Sequence, residues 1–125
     1  MGNLILVMAG GAIGSGLRYL FGRAATAVVG PGYPWGTLGV NLLGGLAMGL
    51  LMGMLARHGG GEGARLLIGV GVLGGFTTFS SFSLEMVTMV ERGAGLQALG
   101  YALVSVIGAG LALFAGLSIA KGTAA

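Results

Sequence analysis

No cysteine occurs in the 125 residues, so neither a disulfide framework nor a thiolate metal site is available. Charge is almost as scarce. Lys, Arg, Asp and Glu make up 7% of the chain, against about 25% in an ordinary soluble domain. The one histidine, His58, sits in a Gly-rich loop with nothing nearby to complete a zinc site or a nucleophile–base pair. The net charge of +3 is scattered over loops and helix ends, and no basic cluster points to nucleic acid. Proline is confined to Pro31 and Pro34. These absences exclude most enzymes, disulfide scaffolds and nucleic-acid modules.

Apolar residues and glycine take their place. Hydrophobic residues are 55% of the chain and the mean hydropathy is +0.98, values expected of an integral membrane protein. The 29 glycines lack the three-residue period of collagen and suit close helix packing instead. The apolar runs predict an all-α, single-domain membrane protein with four spans, at about residues 3–22, 34–56, 64–90 and 96–120. The first run begins right after Met1-Gly2-Asn3 without a basic segment, and is expected to be a span rather than a cleaved signal. Small residues recur every fourth position in three spans: Gly10 and Gly14; Gly45, Gly49 and Gly53; and Gly108, Ala112, Gly116 and Ala120. Such seams let helix backbones approach closely. Arg23 to Tyr33 reads as a connection, with Tyr33 and Trp35 placed for an interfacial aromatic belt.

The third run is unlike the others. At its centre stands Gly74-Gly75-Phe76-Thr77-Thr78-Phe79-Ser80-Ser81-Phe82-Ser83, with a glycine pair followed by five hydroxyl side chains. Glycine weakens the helix, and hydroxyls can bond the backbone groups that a break frees. Irregular backbone at membrane depth persists only when shielded by protein or facing a wet cavity, so a break here marks an ion or substrate site. The alternative is a small-residue packing seam in an unbroken helix.

Polar residues elsewhere lie in register with that stretch. Thr37 and Asn41 are one turn apart on span 2, and Tyr101 and Ser105 are one turn apart on span 4. Each pair reads either as interhelical glue or as the wall of a path. Phe79 and Phe82 project from one face if the chain is helical after the break, and Glu85 follows within a turn, without an evident partner. Arg18 reads as a snorkelling anchor or as a cation near an anion entrance. No titratable group lies in the central stretch, which favours passive conduction over proton coupling. Amide and hydroxyl hydrogens and the electropositive rims of aromatic rings suit a small dehydrated anion, whereas carbonyls at a helix break suit a cation. Four spans put Arg57, Arg65 and Lys121 on one side and Arg23, Arg92 and a snorkelling Arg18 on the other. That near balance gives almost no orientation preference, so an antiparallel dimer built from both orientations is expected.

Three motifs carry a family resemblance: Gly10-Gly11-Ala12-Ile13-Gly14-Ser15-Gly16-Leu17-Arg18-Tyr19; Gly36-Thr37-Leu38-Gly39-Val40-Asn41 followed by Gly44; and Gly74 through Ser83 with Glu85 beyond it. The chain resembles the Fluc/CrcB fluoride channels across its whole length and in span number and motif order. The resemblance implies a dual-topology homodimer in a bacterial or archaeal cytoplasmic (inner) membrane, exporting fluoride without enzymatic chemistry. It implies that Phe79 and Phe82 offer ring edges to fluoride and that Asn41 donates to it. Ser80, Ser81 and Thr37, with Tyr101 and Ser105, would add a polar track, and Arg18 and Glu85 would flank a vestibule. A structural sodium ion at the dimer centre is implied on the backbone carbonyls of Gly74 and Thr77. Ser81 departs from a common Thr but keeps the hydroxyl, while Gly39 and Gly45 replace residues that are often larger or polar. Two other readings are a small multidrug-type proton-coupled exporter and a non-transporting assembly subunit. The exporter needs an acid in span 1, and span 1 has none.

Overall fold

The computed structural model describes residues 1–122 and is all-helical among them. Helix α1 is Gly2–Val29 and α2 is Trp35–His58. The third span is split. Its first limb, α3, covers residues 62–76, and its second, α4, is Ser80–Glu91. Helix α5 is Gly95–Lys121. Four segments are thus long and apolar enough to cross a membrane: Gly2–Val29, Trp35–His58, Glu62–Glu91 and Gly95–Lys121.

Two features depart from the sequence reading. Helix α1 runs on to Val29 because the following Arg23-Ala24-Ala25 holds strong helix formers. It stops at Gly30, which takes a φ of 82° while its N–H donates to Thr26 O at 2.9 Å. The 28 residues span roughly 42 Å at 1.5 Å each, so the last turns of α1 rise beyond the hydrocarbon. In α3, Arg65–Leu73 is a nine-residue π-helical stretch, with the Gly74 N–H donating back five residues to Gly69 O. Such widened turns are rare and concentrate at functional sites.

Backbone-to-backbone packing replaces a large apolar core. Helix α2 lies along α5, and α1 lies along α3. A Cβ on Gly49 would strike the Leu113 carbonyl, and one on Gly71 would come within 2.9 Å of the Gly10 Cα. The seams read from the sequence are therefore real contacts. The buried cluster is small: Leu38, Phe82, Met89, Ala98 and Tyr101, joining α2, α4 and α5 just below the α1–α2 connection.

Candidate functional site

The third span does break. Helix α3 ends at Phe76, and Thr77 is extended, with φ −82° and ψ 161°. The exposed polar groups are met from three sides. Asn41 on α2 donates from Nδ2 to Thr78 O at 3.0 Å and accepts the Thr78 N–H on Oδ1 at 2.8 Å, so one side-chain amide stands in for a peptide. The Thr77 N–H and hydroxyl both donate to Leu73 O, each at 3.0 Å. Thr78 Oγ1 accepts the Ser81 N–H at 3.2 Å and so caps the start of α4. From α1, Arg18 Nε donates to Gly75 O at 3.2 Å.

This arrangement frees two carbonyls. In an unbroken helix the Thr78 N–H would serve Gly74 O and the Ser81 N–H would serve Thr77 O. Both donors are turned elsewhere. Gly74 is exposed and Thr77 half-buried, so these oxygens suit a hard cation approaching from outside the chain. No group of three or more His, Cys, Asp or Glu residues comes together among the described residues.

Glu85 has partners that its sequence position does not reveal. Thr37 Oγ1 donates to Oε2 at 3.0 Å, and the Tyr101 hydroxyl donates to Oε1 at 2.9 Å. The Thr37–Asn41 face of α2 and the Tyr101–Ser105 face of α5 therefore meet α4 at two levels. The upper members hold Glu85, and the lower members line a hollow beside the break.

That hollow measures about 350 Å³, and its wall includes Asn41, Thr77, Thr78, Phe79, Phe82 and Ser105. Ser105 is buried, and its hydroxyl is the one buried side-chain polar atom without a hydrogen-bond partner among the described residues. The two phenylalanine rings are 5.7 Å apart, tilted by 47°. They differ in surroundings. Phe82 is 5% exposed, while Phe79, just before α4 begins, is 76% exposed. Ser80 lies outside the hollow, exposed, with its hydroxyl 3.4 Å from that of Thr78.

A second, larger cavity of about 820 Å³ opens on the side of the α1–α2 connection. Ser81, Thr37 and Glu85 are in its wall, and Arg18, Arg23 and Arg92 bring positive charge to it. In the sequence Arg23 and Arg92 read as ordinary loop charges; the extension of α1 is what carries Arg23 there. Burial raises the Tyr33 phenol in this wall above its ordinary pKa.

The fold and these two hollows describe a four-span helical membrane protein with a polar break held by donors from two other helices, Arg18 on α1 and Asn41 on α2. The chain belongs to the CrcB family: the family model described as "CrcB-like protein, Camphor Resistance (CrcB)" matches residues 5–117. It is 55% identical over 121 residues to the fluoride-specific ion channel FluC of Mesorhizobium japonicum, covering 97% of this chain and 98% of that one. It is 57% identical over 122 residues to the protein of the same name from Sphingopyxis alaskensis, with 97% of both chains covered. The Caulobacter vibrioides protein, also so named, is 54% identical over 123 residues, again with 97% of each chain covered.

Proposed function

We propose that this chain forms a fluoride-selective channel that lets fluoride leave the cytoplasm passively, carrying charge and relieving fluoride toxicity. The observation that carries this reading is the near-full-length match, at more than half identity, to proteins named fluoride-specific ion channels. The hollow beside the break supplies the chemistry. It offers the Asn41 amide, the unpartnered Ser105 hydroxyl and two phenylalanine rims to a small anion. Nothing in the hollow is acidic or basic, so a proton-exchange step has no carrier there.

An antiparallel homodimer in the inner membrane accompanies this reading. The balanced tally of basic residues supports it, and so does the exposed position of Phe79 and Gly74, where lipid would leave polar backbone uncovered. A sodium ion at its centre would be held by the Gly74 and Thr77 carbonyls. Two oxygens are too few for such an ion, and the same pair from a second copy across a twofold axis would double them. The ion would fix a positive charge beside the break.

Fluoride efflux from liposomes containing the purified protein, read with a fluoride electrode while chloride efflux is followed in parallel, tests the function. Fast electrogenic fluoride efflux without chloride efflux is expected. No efflux from assembled protein with sodium present would return the exporter and assembly-subunit readings. Cysteine-accessibility labelling that found a single orientation would count against the antiparallel dimer.

A further inference from the structure

Tyr33 and Trp35 flank Pro34, whose φ of −78° and ψ of 64° form an inverse γ-turn, closed by the Trp35 N–H donating to Tyr33 O at 2.8 Å. The proline ring presets φ, so the turn is built into the chain. It folds the two rings together with 4.7 Å between centroids. They are not both belt residues. Trp35 is 47% exposed, whereas Tyr33 turns inward and packs against the buried cluster. There it meets Tyr101 edge to face at 5.5 Å and 82°.

Tyr101 is completely buried in the cluster with Leu38, Met89 and Ala98, and three further contacts bear on how its ring lies. Its hydroxyl donates to Glu85, one side of it meets Phe82 at 5.1 Å, and the remaining aromatic neighbour is Tyr33. We propose that Tyr33 is a positioning residue of the ion path, pinning the Tyr101 ring so that its hydroxyl stays on Glu85. This assignment rests on the channel reading above. The ring of Tyr33 does the work. Its hydroxyl makes no hydrogen bond to Tyr101 or Glu85.

The test is fluoride efflux from liposomes holding the full-length protein and its variants, with assembly checked by size-exclusion chromatography. Tyr33→Leu should slow efflux about tenfold, because loosened positioning of reacting or binding groups costs rate steeply. Tyr33→Phe, which keeps the ring, should conduct like the natural protein. In a Tyr101→Phe background, where no hydroxyl remains to be placed, Tyr33→Leu should slow efflux by less than about twofold, the non-additivity expected of residues that act through one another. Natural efflux in Tyr33→Leu, equal losses in the Leu and Phe variants, or full additivity with Tyr101→Phe would each overturn the assignment. If Tyr33→Leu does not assemble, Pro34→Ala keeps the ring but releases its turn, and should slow efflux about threefold. Natural efflux in Pro34→Ala would also overturn it. A natural protein that conducts no fluoride would defeat the channel reading itself, whereas a conducting natural protein with indifferent variants would defeat the positioning role alone.

Discussion

The α2–α5 seam and the break between α3 and α4 are built from similar material and do opposite things. Both are rich in glycine and both lie at membrane depth. Along the seam, Gly49 and Gly116 bring two unbroken backbones into contact, and every helical bond is kept. At the break, Gly74-Gly75 leads into an extended Thr77, and the backbone is held instead by Asn41, Arg18 and the hydroxyl of Thr78. Glycine alone gives close approach. Glycine followed by hydroxyls, with an amide waiting on the next helix, gives a stable break, because most of the exposed peptide groups find a replacement partner and only the Gly74 and Thr77 carbonyls are left open.

The seam should fail most severely, and by losing stability. A Cβ on Gly49 falls onto the Leu113 carbonyl, which no side-chain rotation can relieve. Gly49→Ala should cost about 3 kcal/mol, at the upper end for overpacking, and lower the unfolding temperature in detergent. Gly110 faces open space on the same helix as Gly116, so Gly110→Ala should leave that temperature unchanged or slightly raised. Equal effects of the two would mean that the seam is not a true backbone contact.

The break should fail by losing conduction. In Asn41→Asp the side chain can still accept the Thr78 N–H, but it sets an acceptor against Thr78 O where a donor stood. It also places negative charge in the hollow. Fluoride efflux should fall about a hundredfold, equivalent to roughly 3 kcal/mol on the barrier, while the helices still assemble. Unchanged efflux in assembled protein would remove Asn41 from the path.

How much of this was legible in the sequence depends on whether a residue's role lies within its own helix. The span count, the seams and the break followed from spacing and composition, because each is a local pattern. The partners of Glu85 were not legible, since Thr37 and Tyr101 lie 48 and 16 residues away and only packing joins them. Arg23 reads as a loop charge rather than a helical one for a different reason. Its position depends on α1 continuing to Val29, and a helix leaving the hydrocarbon no longer shows in hydropathy. The π-helical stretch has no composition signature at all. From its sequence position Asn41 reads equally as glue or as donor, and the structure gives it a definite bond to the break. The resemblance to fluoride channels, resting on three motifs, is matched by the family the chain belongs to.

Phe82→Leu separates the two halves of the hollow's chemistry. Leucine keeps an apolar side chain of similar bulk against Tyr101 and loses the electropositive rim. Efflux should drop about fivefold if the rim meets the ion, since ring contacts of this kind are worth about 1 kcal/mol. Full activity would count against aromatic coordination and leave the amide and hydroxyl to act alone.

The smallest effect should come from the arginines, and salt should divide them. Arg23 and Arg92 are exposed in the wall of the larger cavity, so they can act only through the field they set up at its mouth. The double variant Arg23→Gln with Arg92→Gln should slow efflux about two- to threefold at low ionic strength. That difference should vanish in about 1 M potassium gluconate, where the screening length is roughly 3 Å. Arg18 is half-buried and tied to the Gly75 carbonyl, so its part is to hold the break. Arg18→Gln should therefore slow efflux by the same factor at every salt concentration. If the loss in Arg18→Gln faded with salt as well, Arg18 would belong with the two outer arginines, and the α1 side of the break would be held by packing alone.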